Sequence, residues 1–486
     1  MQLWRNSLIY IAGSFLVPVS AQEIPWAVPK GFTVEVFADS LFLPVNIAFV
    51  PAPDSSEDAL FCYVTELYGR VSAVSRNGTV STYVDSLLNF NPTGGFPGSG
   101  ELGVTGIAVE TATGDLIVSM VYVEGSGIFN RLVRMTSADG GWTKDSLYTL
   151  LEGIPGPGQS HQIHTVTLGP DGMVYVNVGD GEYAESSQDD DDLRGKILRL
   201  APDGSIPPDN PVPGSYVYAK GLRNPFGATW RNADDALYIS DNGPDENDRL
   251  ARVEPGSNLG WCCDMTAGAL HLWTPTVSPV GLDFMEGSQF PEEYAGHLFV
   301  GAFGPTYYQG TSGRGKTIFD FTLDSAGTRV VAVNKFMTYT GQGFGTVVGV
   351  AFGPDGLYFT DIFGEDGFDE TGRAYGNIYR ITRQTGEDNG DVPAEYSLLQ
   401  NIPNPFNAGT TIRFDLPEEG QVMLTIYDVL GRKVVTLVAN EPYSSGSHAV
   451  LWDGKDQSGQ RVSSGVYLVQ IQAGNFSRSR KMLLLK

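Results

Sequence analysis

The sequence predicts an all-β chain: a six-bladed β-propeller followed by a small Ig-like β-sandwich. Three observations carry that expectation. Sixty glycines and 29 prolines among 486 residues favour many turns and short strands over long helices. A strand-opening pattern recurs six times before about Gln384. Beyond that point the pattern stops, and shorter alternating strands follow a polar, breaker-rich stretch.

The N-terminus reads as a secretory signal over residues 1–21. Arg5 supplies the positive charge, Leu8 to Val19 the short apolar stretch, and Val19-Ser20-Ala21 the small-residue cleavage site. The apolar stretch is too short for a membrane span, so the mature chain is expected to begin near Gln22 without a transmembrane segment.

Residues 22–384 are expected to form the propeller. The six openings are Asn46-Ile47-Ala48-Phe49, Gly106-Ile107-Ala108-Val109, Thr165-Val166-Thr167-Leu168, Gly227-Ala228-Thr229-Trp230, Gly281-Leu282-Asp283-Phe284 and Gly349-Val350-Ala351-Phe352. Their spacing of about 55–70 residues suits a four-stranded unit. Turns such as Gly169-Pro170-Asp171-Gly172 and Gly353-Pro354-Asp355-Gly356 follow, with closing strands such as Gly195-Lys196-Ile197-Leu198-Arg199-Leu200. Residues 385–398 read as a linker. Residues 399–486 hold the sandwich strands around Thr411–Phe414, Val422–Tyr427, Ala449–Trp452 and Gly465–Ile471.

Composition narrows function. The net charge of -25 repels phosphate backbones and anionic lipid, which argues against nucleic-acid partners and is compatible with calcium and neutral sugars. Three cysteines do not make a disulfide scaffold. Cys62, in an apolar run, is expected as a buried thiol, while adjacent Cys262 and Cys263 could be a strained disulfide or two packed thiols.

The polar residues are concentrated in two segments. His161-Gln162-Ile163-His164 precedes one strand opening, and Gly221-Leu222-Arg223-Asn224-Pro225 precedes the next. A histidine followed one repeat later by an arginine and an asparagine suggests groups gathered at one mouth of the propeller. His164 is in phase with its strand and is expected to pack in the channel. Asp171, Asp203 and Asp355 sit in turns, and Asp189 to Asp192 read as a solvated loop.

These segments, with Gly103-Val104-Thr105-Gly106-Ile107-Ala108, Asn242-Gly243-Pro244 and Glu254-Pro255-Gly256-Ser257-Asn258-Leu259-Gly260-Trp261, resemble the glucose/sorbosone dehydrogenase family over most of residues 40–383. The resemblance implies a secreted dehydrogenase that depends on pyrroloquinoline quinone (PQQ) and Ca2+. It would oxidise an aldose at its anomeric hydroxyl to a lactone and pass electrons to an external acceptor. It assigns His161 as catalytic base and Arg223 as electrostatic stabiliser. Arg223, Asn224, Glu101 and Lys316 fall on the cofactor side, and Gly243, Pro244 and Asp248 on the metal side. The sequence departs from the family pattern at Leu222, Leu259 and Arg249. It also lacks basic residues in Gly345-Thr346-Val347-Val348-Gly349, where quinone-binding members carry Arg-x-Arg. That last departure keeps open a non-catalytic surface propeller that binds glycans or proteins. A calcium-dependent lactonase is a third reading.

The tail resembles the type A sorting domain of the type IX secretion system. The resemblance rests on Asn401-Ile402-Pro403-Asn404-Pro405-Phe406-Asn407, Tyr427-Asp428-Val429-Leu430-Gly431-Arg432, Trp452-Asp453-Gly454, Ser464-Gly465-Val466-Tyr467 and the terminal Arg480 to Lys486. It implies the type IX secretion machinery as partner and a secreted or cell-surface location.

Overall fold

A computed structural model describes residues 24–91, 101–304, 309–369, 373–384, 396–401, 404–406 and 409–485. The expected signal segment and most of the expected linker lie outside the described residues.

Six antiparallel sheets, five of four strands and one of five, follow one another along the chain. The first runs Pro44–Phe49, Leu60–Glu66, Arg70–Ser75 and Val80–Val84. The first strands of the next five are Val104–Val109, Ile163–Leu168, Pro225–Arg231, Pro279–Phe284 and Val350–Phe352. Each expected strand opening therefore falls in or at the start of the first strand of a sheet. The sixth sheet takes its outer strand, Phe32–Phe42, from before the first sheet, where it pairs with Tyr375–Arg383. Strand Trp26–Ala27 covers the outer edge of the fifth sheet by pairing with Tyr339 and Thr338.

Second strands such as Leu60–Glu66, Val174–Val178 and Ala236–Asp241 are buried along almost their whole length, because a neighbouring sheet covers each face. The outer strand Val330–Tyr339 is largely exposed or half-buried instead. Successive sheets share separate apolar cores. Tyr63 and Val104 belong to the core between the first and second sheets, and Ile197 and Leu237 to that between the third and fourth. Phe61 of the first sheet and Tyr358 of the sixth pack into a common core.

Polar groups on the second strands add directional links. Thr65 Oγ1 donates to the Thr105 carbonyl (2.8 Å), Ser119 Oγ to that of His164 (2.5 Å), Asn177 Nδ2 to that of Gly227 (3.2 Å), and Ser240 Oγ to that of Val280 (2.6 Å). Thr360 Oγ1 of the sixth sheet donates to the Val45 carbonyl of the first (2.7 Å). Glycine is needed where these strands approach most closely: a Cβ at Gly349 would lie 2.4 Å from the Val45 oxygen. One cavity takes lining residues from all six first strands, including Asn46, Ile107, Thr167, Thr229, Leu282 and Val350.

The C-terminal part packs a three-stranded sheet against a four-stranded one. The first holds Ser397–Leu398, Thr410–Leu416 and Gly446–Trp452. The second holds Lys433–Tyr443, Gly420–Asp428, Gly465–Ala473 and Phe476–Leu484. Thr410–Leu416 alternates buried and half-buried residues, and Ile412, Phe414, Ile426, Trp452 and Val469 share the core. Ser397–Leu398, inside the stretch expected as linker, is already a strand of this unit, with Leu398 fully buried. No helix among the described residues is long and apolar enough to cross a membrane.

Candidate active site

In an antiparallel sheet the start of the first strand and the end of the second share one end. Glu101, His161 and Arg223-Asn224 precede the first strands of the second, third and fourth sheets. Asp180 and Asp241 stand at or just beyond the ends of second strands. The fold therefore brings residues far apart in sequence to one rim.

An acidic residue in this position usually caps the backbone before its own first strand. Glu66 accepts from the Phe42 N–H (2.6 Å), Asp241 from that of Asn224 (2.8 Å), and Asp361 from that of Thr346 (2.9 Å). The third sheet departs from this pattern. Asp180 faces Nδ1 of His161 (2.6 Å), and its other oxygen accepts from the Trp261 indole N–H (2.7 Å). The Glu182 N–H also donates to Asp180 (2.8 Å). Indole and backbone N–H groups can only donate, so Asp180 is the acceptor and Nδ1 of His161 carries the proton. The Nε2 lone pair is left without a partner among the described residues. His161 has a left-handed φ of 58°. The Gly179 backbone passes so close that a Cβ there would lie 2.4 Å from the His161 oxygen.

Glu101 supplies the cap that Asp180 does not. Its Oε2 accepts from the His161 N–H (2.6 Å) and lies 3.2 Å from His164 Nε2, while Oε1 accepts from Asn224 Nδ2 (3.0 Å). Burial pushes the Glu101 carboxyl up, but the His164 hydrogen bond, the two imidazoles and the Asn224 amide outweigh it and hold it down at about 2. His164 is fully buried and donates from Nε2 to the side-chain Oδ1 of Asn224 (2.8 Å). Its ring lies 4.2 Å from that of Phe226, and its Nδ1 is buried without a partner.

Arg223 lies over the Trp261 ring, 5.7 Å from guanidinium carbon to centroid. Its NH1 donates to the carbonyls of Asn242 (2.9 Å) and Gly243 (2.8 Å). Asp241 accepts from the Arg223 and Asn224 N–H groups and pairs with Arg249 at 2.6 Å, both side chains being fully buried. Arg249 also donates to the Gly221 carbonyl (2.9 Å), so it braces the Arg223 loop from behind.

The expected metal group is only partly assembled as free oxygen ligands. The Gly243 carbonyl already faces Arg223. Asp248 is buried, with Oδ1 accepting from the Gly243 N–H (2.7 Å) and Oδ2 from the N–H groups of Val277 (2.7 Å) and Ser278 (2.8 Å). It orders the Asn242-Gly243-Pro244 turn. No cluster of three or more His, Cys, Asp or Glu side chains that could hold a metal occurs among the described residues.

Lys316 directly precedes the third strand of the fifth sheet, at the same end of the sheets. It is 3% exposed, its ammonium donates to the Gly310 carbonyl (3.0 Å) and lies 4.7 Å from the Tyr339 ring centroid. Burial lowers its pKa, opposed by Asp361 and Glu365. Those neighbours belong to the fifth and sixth sheets, whereas His161, Glu101, Asn224 and Arg223 share one network. Thr346, Val347 and Val348 are buried. Sequence reasoning gave no role to Asp180 or Asp241; the Gly179-Asp180-Gly181 turn after an apolar strand was the available signal.

Known proteins share this arrangement of sheets. The family model "Glucose / Sorbosone dehydrogenase" matches residues 43–367, and "FlgD Ig-like domain" matches residues 401–476. Aldose sugar dehydrogenase YliI of Escherichia coli (strain K12) is 24% identical over 213 residues, 39% of this chain and 53% of that protein. Quinoprotein glucose dehydrogenase B of Acinetobacter calcoaceticus is 32% identical over 134 residues, 23% of this chain and 28% of that protein. The chain thus spans about half the length, or less, of these curated relatives. The PQQ-bound form of aldose sugar dehydrogenase from Streptomyces coelicolor superposes with a TM-score of 0.55 at 26% identity, covering 73% of this chain and all of that one. Since the first of these family models takes in well over half of the residues, including every member of the His161–Arg223 network, the chain belongs to the glucose/sorbosone dehydrogenase family.

Proposed function

We propose that the six sheets close into a six-bladed β-propeller and that the rim around His161 oxidises an aldose at its anomeric hydroxyl to a lactone, with PQQ and Ca2+ as cofactors. The observation that carries this reading is the Asp180–His161 pair. Its imidazole is fixed by a carboxylate at Nδ1 and presents an unpartnered Nε2, and the indole that also holds this carboxylate is stacked under Arg223.

The residues present fit a planar, anionic quinone. Arg223 offers a flat guanidinium lying over Trp261, with only NH1 engaged by backbone carbonyls. PQQ, when bound, supplies the two-electron acceptor that side chains lack. Nε2 of His161 takes the proton of the sugar hydroxyl as its carbon is oxidised, and Asp180 holds the ring in the tautomer that can do so. Arg223 stabilises negative charge across the rim from the imidazole. Glu101 fixes the His161 backbone and the Asn224 amide at once. With no side-chain metal cluster described, calcium would be held by backbone oxygens such as those of Gly243 and Pro244, which suit a hard cation. Asp248 sets the turn that presents them.

We further read residues 399–486 as an Ig-like sorting domain for type IX secretion, which places the protein outside the cell or on its surface. The supporting features are the tail motifs and the two-sheet core.

Dye-linked oxidation of aldoses by the full chain, after addition of PQQ and calcium, tests the enzymatic reading. Turnover lost in His161→Ala is the expected result. Sugar-independent dye reduction, or full activity in His161→Ala, would overturn it. A second reading, a binding propeller without catalysis, is favoured by one observation: the buried Thr346-Val347-Val348 segment offers no basic partner for the quinone carboxylates.

A further inference from the structure

Cys262 and Cys263 lie one peptide bond from the candidate active site. They are free thiols whose sulfurs approach to 2.8 Å, with Cys263 exposed and Cys262 half-buried. Cys62, the third cysteine, is fully buried. The residue before the pair, Trp261, is pinned at every polar atom. Its N–H donates to the Gly221 carbonyl (3.1 Å), its carbonyl accepts from Ser187 Oγ (2.5 Å) and from Gln188, and its indole N–H holds Asp180 (2.7 Å). Adjacent thiols in contact, solvent access at one of them, and a rigid relay to the base together make a site.

We propose that Cys262 and Cys263 form a two-electron redox site that closes to a vicinal disulfide by exchange with a small organic disulfide, and that Trp261 transmits its state to Asp180 and His161. In the first step the Cys263 thiolate attacks one sulfur of the organic disulfide, breaking its S–S bond and releasing one thiolate. The Cys262 thiolate then attacks the mixed disulfide at Cys263 and releases the second. Two protein thiols are oxidised, one organic disulfide is reduced to two thiols, and the two protein protons pass to the departing thiolates. Adjacent Cα atoms stand about 3.8 Å apart across a trans peptide. Unstrained disulfides span about 4.4–6.8 Å. The closed ring is therefore strained, and strained, exposed disulfides are readily reduced again. Closure rotates the backbone at residue 262, on which the Trp261 carbonyl and its two hydrogen bonds depend. This inference does not depend on the dehydrogenase reading.

The test uses the full chain, reduced and then treated with bis(2-hydroxyethyl) disulfide at mildly alkaline pH, because Cys262 holds the Cys263 thiol above its ordinary range. Alkylation with N-ethylmaleimide in denaturant then counts thiols. All three cysteines are labelled in the reduced protein; after treatment only Cys62 is labelled, and the peptide carrying residues 262–263 is cross-linked internally. Cys262→Ser and Cys263→Ser each stop at a mixed disulfide. Three labelled cysteines after treatment, or a wild-type chain that also stops at mixed disulfides, overturns the proposal. Tryptophan emission falls on oxidation, returns on reduction, and is unchanged throughout in Trp261→Phe. An unchanged wild-type emission refutes the link to Asp180.

Discussion

Glu101→Gln is the perturbation whose magnitude follows most directly from the structure. The Glu101 carboxylate binds the His161 N–H, lies beside His164 and accepts from Asn224, and its pKa falls from an ordinary 4.5 to about 2. A folded-state pKa below the unfolded value gives stability that is complete above the unfolded pKa and is lost as pH falls through the folded one. The difference of about 2.5 pH units corresponds to about 3 kcal/mol at pH 7. By the same linkage about 1 kcal/mol remains near pH 3, and less than that at pH 2. Urea unfolding of the wild type and Glu101→Gln across this range isolates the term as a difference, cancelling the other carboxylates. The variant should be less stable by about 3 kcal/mol at neutral pH, and the two curves should converge between pH 4.5 and 2. Parallel curves would refute the assignment of Glu101 as the ionised hub of the rim.

Other outcomes follow from the same geometry. Asp180→Asn offers an amide donor where a carboxylate stood, disfavouring the tautomer with Nδ1 protonated. Sugar-dependent turnover should fall by about 100-fold or more, with near wild-type thermal stability, as measured by dye reduction and a melting curve. Asp241→Asn leaves the fully buried Arg249 guanidinium without its counter-ion and weakens the cap on Arg223 and Asn224. Breaking such a pair costs about 3–5 kcal/mol, measurable by urea unfolding.

The sequence made the repeating unit legible because each sheet opens with the same apolar run and turns on glycine and proline. All six openings, from Asn46 to Phe352, lie at first strands. One pairing and two strands were not legible. The outer strand Phe32–Phe42 pairs with Tyr375–Arg383 across more than 300 residues, and no local signal specifies a partner so distant. Strands Lys433–Tyr443 and Phe476–Leu484 carry many polar residues on exposed positions and so lack a strong apolar period. In the site, His161, Arg223 and Asn224 were identified through motifs and Glu101 through the family resemblance, and the structure joins them in one network. Asp180 escaped notice because an aspartate between two glycines reads as an ordinary turn. Its distinction appears only by comparison with Glu66, Asp241 and Asp361, which cap backbone at their own sheets. Asp248 and Lys316 fitted the family pattern by position, yet their polar atoms already engage the protein's own backbone.

The central claim is that the rim binds PQQ through Arg223. Calorimetric titration of PQQ into the calcium-loaded full chain tests it most directly. Saturable binding with a Kd of about 1 μM or tighter, weakened at least tenfold in Arg223→Ala, is the predicted result. Absence of binding, or binding indifferent to Arg223→Ala, would contradict the account and leave the molecule as a binding propeller.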